Sequence, residues 1–123
     1  MNPKELIDSA KSIINYRETG ECSMGGVGSA LETDTGKIFT GVCIDTRCSI
    51  GFCAEGNAIG TMVTAGGAKI IRIVAVREKE IIPPCGKCLE LIKQLHEENI
   101  NTQIILSPNE SKLLKELLPF RYS

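Results

Sequence analysis

Leu6, Ile7, Ala10, Ile13 and Ile14 recur at helical spacing near the start of the chain, with polar residues between them. The pattern predicts an amphipathic helix. Asn2 and Pro3 supply a cap and a first-turn proline, and Glu5 adds an acid at the positive end of the dipole. The helix is expected to run on to near Gly20. Residues 27–33 and 37–44 read as two strands, and Asp34-Thr35-Gly36 between them is a hairpin turn signal. A loop over 46–51 leads to a helix over 53–65 that Gly66-Gly67 closes. Gly56 and Gly60 weaken that helix, so packing has to hold it. The β-branched run 70–76 fits a central strand covered on both faces. Pro83-Pro84 breaks the chain before a helix over 85–98, with Cys88, Leu91, Ile92 and Leu95 on one face. A short strand over 103–106 and a helix or strand–helix piece over 111–118 complete the order.

A hairpin followed by β-α-β crossovers implies helices on both faces of a mixed sheet. The expected fold is a three-layer α/β/α sandwich with four to five strands. At 123 residues, with no repeat or linker, residues 1–123 are expected to form one domain. The chain is 42% hydrophobic and 24% charged, enough apolar material for a packed core. Net charge is −1 and no basic run stands out, so a nucleic-acid partner is not expected; a small neutral ligand is. No apolar stretch reaches the roughly 20 residues of a membrane span. No apolar segment follows Met1-Asn2-Pro3-Lys4-Glu5, so a cytoplasmic location is expected. Six cysteines in that reducing compartment read as ligands, core residues or redox groups rather than disulfides.

Two motifs carry chemistry: Cys53-Ala54-Glu55, and Pro84-Cys85-Gly86-Lys87-Cys88. Both fall where a loop enters a predicted helix. Free N–H groups and the helix dipole favour thiolate there, and thiolate is the form that binds zinc. Cys85 and Cys88 share one helical turn, and Cys53 can converge on them from a neighbouring helix. Three protein ligands leave a fourth position open, the mark of a catalytic rather than a structural zinc. Water there becomes a usable nucleophile. Glu55 is the only acid between Asp45 and Glu78. A buried carboxylate is costly unless paired or used, and two residues past a ligand it can reach that water and move its protons. A lone C-x-x-C fits equally well a redox pair or half a structural zinc site; the paired pattern is far more specific.

The paired motif resembles that of the cytidine deaminase superfamily, and the likeness extends over most of the chain. Residues 26–31, 36–42 and Glu116-Leu117-Leu118-Pro119 have family counterparts. The three-cysteine set and short length are similar to the small tetrameric cytidine deaminases and blasticidin S deaminase. The resemblance implies a zinc-dependent hydrolase that replaces an exocyclic amine of a cytosine nucleoside or analogue by a carbonyl and releases ammonia. It implies one zinc per subunit on Cys53, Cys85 and Cys88, with Glu55 as proton shuttle and the Ala54 backbone on the ring amide. A homotetramer is the family expectation, with a dimer as the alternative.

Departures from the family pattern concern the ligand pocket. Cys43-Ile44-Asp45 stands where cytidine deaminases carry an Asn-x-Glu that grips the ribose. Met24-Gly25-Gly26 stands where a Phe flanks the base, and Gly56 replaces an Arg that relieves thiolate charge. A site built to hydrogen-bond a hydroxyl discriminates by up to about 10⁴–10⁵, so these changes point to a different substrate rather than a different reaction. A substituted cytosine nucleoside, or another amino-heterocycle such as a blasticidin-like antibiotic or modified base, is expected. Cys43, Asp45, Ala54, Gly25 and Tyr122 are the candidate substrate contacts. Tyr122 reads either as a frayed tail or as an aromatic reaching a neighbouring subunit's pocket. Cys22 and Cys48 read as filler thiols, and His96 as an exposed helix-end residue rather than a ligand. Leu113, Leu114, Leu117 and Leu118, with the glycine-rich helix, suggest burial at subunit contacts. A nucleic-acid-editing deaminase and a zinc or redox module without turnover are the other classes.

Overall fold

The computed structural model describes residues 2–122. Helix α1 (Pro3–Ser12) leads into strands β1 (Arg17–Thr19), β2 (Cys22–Thr33) and β3 (Ile38–Asp45). Helix α2 (Ala54–Thr64), strands β4 (Ile70–Arg77) and β5 (Glu80–Ile82), and helix α3 (Gly86–Leu95) follow. Strands β6 (Gln103–Ser107) and β7 (Glu110–Leu113) and the short helix α4 (Leu114–Leu117) close the described chain.

Among the described residues seven strands form one mixed sheet with the path β1-β2-β4-β6-β7; β3 pairs with β2, and β5 with β4. All pairings are antiparallel except β4 with β6. Strand alternation divides the apolar residues between the two faces. Ala30, Val74, Val76 and Ile105 meet Leu6, Ile7 and Ala10 of α1. Leu31, Ile73 and Ile104 meet Ala58, Ile59 and Met62 of α2 and Leu89 and Ile92 of α3. The three-layer α/β/α arrangement is the expected one, and β4 is covered on both faces as its apolar run requires.

The sheet has seven strands, not four to five. The additional short strands β1 and β5 read Arg-Glu-Thr and Glu-Ile-Ile, too short for a hydrophobic period to show. The first helix stops at Ser12, well before Gly20. Beyond it the Asn15 N–H donates to the Gly25 carbonyl at 2.9 Å, and Arg17 pairs with Met24 to begin the edge strand. The helix expected over 85–98 ends at Leu95, because His96 takes an extended conformation (φ −159°, ψ 137°). The His96 Nδ1 accepts from the Glu98 N–H at 3.0 Å and caps a separate 3₁₀ turn, Glu97–Asn101.

Two contacts fix the helices that carry the motifs. At Gly41 of β3 a Cβ would lie 2.4 Å from the Ala58 nitrogen, so only glycine lets α2 approach this closely. The Asn57 side-chain amide donates to the Val42 carbonyl at 3.0 Å across the same contact. At the far end of α3, fully buried Asn99 accepts from the Ile70 N–H at 2.9 Å. Its amide donates to the carbonyls of Ala68 and Ile92 at 3.0 and 2.9 Å. One side chain thereby ties α3 to the start of β4.

Asn99→Ala is expected to strand those buried groups and lower unfolding stability by about 3 kcal/mol. The urea midpoint should fall with an unchanged slope; an unshifted midpoint would mean that the three bonds are replaced by water at no cost.

Candidate active site

Both motif cysteines that open a helix sit at its N-cap in extended backbone: Cys53 before α2 (φ −68°, ψ 158°) and Cys85 before α3 (φ −75°, ψ 168°). Cys88 lies one turn into α3. The three Sγ atoms lie within 4.8 Å of one another. A tetrahedral ion holding thiolates at about 2.3 Å sets its sulfurs about 3.8 Å apart, so the trio needs only a small closure to hold one. Cys53 and Cys85 are exposed and Cys88 is buried.

The electrostatics of the trio favour a cation. Burial pushes the Cys53 thiol up, and the neighbouring Cys85 and Glu55 charges add to that. Cys88 is pushed up strongly by burial and then by Glu55, Cys53 and Cys85. Burial acts the same way on Cys85, but the backbone N–H groups of Cys88 and Lys87 and the other two thiols outweigh it and hold this thiol below its usual value. No hydrogen bond from the Cys85 side chain caps α3, so those N–H groups act as nearby dipoles at the helix start. Three thiols that resist ionising together, on donors of the right softness, fit zinc.

Glu55 occupies the first turn of α2 and is 4% exposed. Burial raises its pKa, opposed by its own backbone N–H. Together with Cys53, Ala54 and Cys85 it lines a cleft of about 480 Å³. Cys43 and Asp45 border the same cleft. The Cys43 Sγ accepts from the Val27 N–H at 3.3 Å and donates to Asp45 Oδ2 at 3.6 Å. Cys88 closes a second groove of about 330 Å³ behind the trio, bordered also by Phe52, Gly56, Gly60 and Leu91.

Two of the expected substrate contacts lie elsewhere in the chain. Gly25 does not line the cleft. It has φ +81°, and a Cβ there would sit 2.0 Å from the Asn15 carbonyl oxygen, so glycine serves the backbone at this position. Tyr122 lies along α3, its N–H donating to Glu90 at 2.8 Å, and is 77% exposed. Cys22 and Cys48 stay outside the trio.

Sequence reasoning missed Val27, Thr46, Ser49, Phe52, Ile82, Pro83 and Lys87, which also line the cleft. Phe52, Pro83 and Lys87 adjoin or interrupt the two motifs, and that adjacency was the available signal. Val27 enters only through the β2–β3 pairing of Gly28 with Val42, which sets it beside Cys43. Among the described residues lining the cleft, Lys87 is the one cation.

A mixed α/β fold with three thiols grouped beside an open cleft fits a zinc-binding enzyme. A family model described as the cytidine and deoxycytidylate deaminase zinc-binding region matches residues 2–104. A blasticidin-S deaminase from Bacillus cereus is 33% identical over 111 residues, covering 79% of this chain and 76% of that protein. A cytidine deaminase crystal structure from Burkholderia pseudomallei is 26% identical, with a TM-score of 0.81 over 99% of this chain and 100% of that one. One from Mycobacterium tuberculosis shares the fold at 20% identity, with a TM-score of 0.84 over 100% and 98%. The chain belongs to the cytidine and deoxycytidylate deaminase family. It is a zinc-dependent hydrolytic deaminase.

Zinc is expected to shield Cys53 and Cys85 from a thiol reagent while exposed Cys48 stays reactive. In metal-stripped protein exposed Cys53 and Cys85 should become open to the reagent as well, Cys85 faster because its thiol is held lower, and both ahead of buried Cys43 and Cys88. Peptide mapping after brief labelling reads this out, and equal labelling of Cys53 and Cys85 with and without zinc would rule out the trio as ligands.

Proposed function

We propose that this deaminase converts the exocyclic amine of a cytosine nucleoside or cytosine-nucleoside analogue to a carbonyl. Cys53, Cys85 and Cys88 hold its zinc, and Glu55 moves the protons. The observation that carries the reading is the buried Glu55 carboxyl on the wall of a cleft that Cys53 and Cys85 also line, with the Cys88 Sγ within 4.8 Å of both thiols. Bound zinc supplies Lewis acidity that makes water a usable nucleophile near neutral pH.

Glu55 removes a proton from the attacking water as its oxygen bonds to the amine-bearing ring carbon. The carboxyl passes that proton to the ring nitrogen and takes the second from the hydroxyl, delivering it to the amine. The C–N bond then breaks and ammonia leaves, so one water is consumed and one ammonia released. The Ala54 backbone, at the start of α2 and bordering the cleft, holds the ring amide.

At the outer end, one oxygen of Asp45 is engaged by the Cys43 thiol, which leaves the other to accept from a ligand hydroxyl or amine. This grip differs from the Asn-x-Glu of the cytidine deaminases. It favours a modified cytosine nucleoside or another amino-heterocycle, in line with the 33% identity to a blasticidin-S deaminase. The protein acts in the cytoplasm as a homotetramer. The groove behind the thiols and the exposed Phe120 and Tyr122 support subunit contacts, with Tyr122 serving a neighbouring subunit.

Ammonia release measured across cytosine nucleosides, their derivatives and amino-purines tests the reading. Glu55→Gln is expected to retain one zinc per chain while kcat/KM falls by about 10²–10⁴. A zinc-loaded wild type that releases ammonia from none of these compounds would overturn it, as would a variant with full activity.

A further inference from the structure

We infer that Phe52 supplies the aromatic face against which the substrate's heterocycle stacks. The inference rests on the deaminase reading and names a residue that sets ring binding within it.

Among the described residues lining the cleft, Phe52 is the one aromatic. The strand segment 24–26, where the family pattern expects an aromatic flank, offers none, and Gly25 is turned against Asn15. Val27, Ile82 and Pro83 add apolar surface but no π face. A flat, polar-edged ring that approaches Glu55 therefore has one aromatic wall available from this chain.

The backbone holds that wall in place. Phe52 immediately precedes Cys53, and its N–H and carbonyl both bond to Ile44, each at 3.0 Å. The neighbouring Gly51 is pressed onto the same strand, where a Cβ would lie 2.0 Å from the Ile44 oxygen. Cys48 and Ser49, neither of them glycine, take left-handed φ values of 60° and 54° in the preceding loop. Such positions cost energy and persist where the surroundings over-determine them. Here the contorted loop ends in a two-way backbone bridge that fixes the origin of the Phe52 side chain beside the first thiol. The ring is nonetheless 46% exposed. That leaves an apolar face uncovered at the cleft, of the kind an aromatic ligand covers by offset stacking.

Phe52 also borders the groove behind the thiols, next to Gly56 and Leu91, so a neighbouring subunit could use the same ring. Phe52→Leu keeps apolar bulk and removes the π face, and Phe52→Tyr keeps the face. Steady-state kinetics on the best substrate of the ammonia screen, zinc content and molar mass by light scattering separate the two roles. With stacking, Phe52→Leu raises KM by about 5- to 150-fold with kcat little changed. Zinc content and mass stay at wild-type values, and Phe52→Tyr stays within a few-fold of wild type. An unchanged KM in Phe52→Leu, or a shift in mass in either variant, would overturn the assignment while the deaminase reading stands. A wild type without turnover would end both.

Discussion

Three thiols within 4.8 Å of one another beside a buried carboxyl form a concentration of acidic groups that is costly to ionise together. Burial raises the cost of charging Cys53, Cys88 and Glu55, and the neighbouring charges of Cys85 and Glu55 add to it at the two thiols. Two things offset that cost. The start of α3 brings the backbone N–H groups of Lys87 and Cys88 to the trio, where they lower the Cys85 thiol, and a divalent cation would compensate the rest. The site therefore depends on two helices beginning side by side. Gly41 lets α2 settle onto β3, and Asn99 anchors the end of α3 to β4. The core that α2 and α3 share on one face of the sheet holds those starts in register.

How much of this the sequence reveals depends on whether a feature is local. The cysteine spacing and the apolar run of β4 are local, so the metal candidates, the central strand and the layer order could be read directly. The start of α2 was also legible, because Cys53-Ala54-Glu55 follows a loop and precedes a small-residue helix. The end of α1 was not, since it is set by the bond from Asn15 to Gly25, ten residues away in the chain. Strand β1 exists through its pairing with residues 22–24 and carries no hydrophobic period of its own. His96, expected at an exposed helix end, instead caps a new turn with its ring nitrogen, and the helical pattern of the preceding residues gives no sign of that break.

The cleft divides along the same line. Cys53, Ala54, Glu55 and Cys85 come from helix starts, and their grouping follows from motif spacing. Most of the remainder of the lining comes from the end of β3, the loop over 46–52 and the segment from the end of β5 into α3, with Val27 added from β2, and there residue type alone carries little signal. Gly25 illustrates the limit. Its position in the sequence suggested a pocket residue, but its left-handed backbone pressed against Asn15 gives it a steric duty that no alignment by motif could reveal.

That division also separates reaction from selectivity on the proposed reading. The proton-moving carboxyl and the thiols stand at the starts of sheet-supported helices, where a shift in one would disturb the core that α2 and α3 share. The outer grip stands on Cys43, Asp45 and Phe52. Cys43 and Asp45 are linked to each other by a single long thiol–carboxylate contact, and Phe52 is held to Ile44 through backbone alone. Side chains there can change without moving the metal centre, because the bonds that place Phe52 do not involve its ring. A family fold can thus keep one hydrolytic chemistry while the residues facing the far side of the ligand are rewritten. The replacement of an amide and a longer acid by Cys43 and Asp45 is a rewriting of that kind.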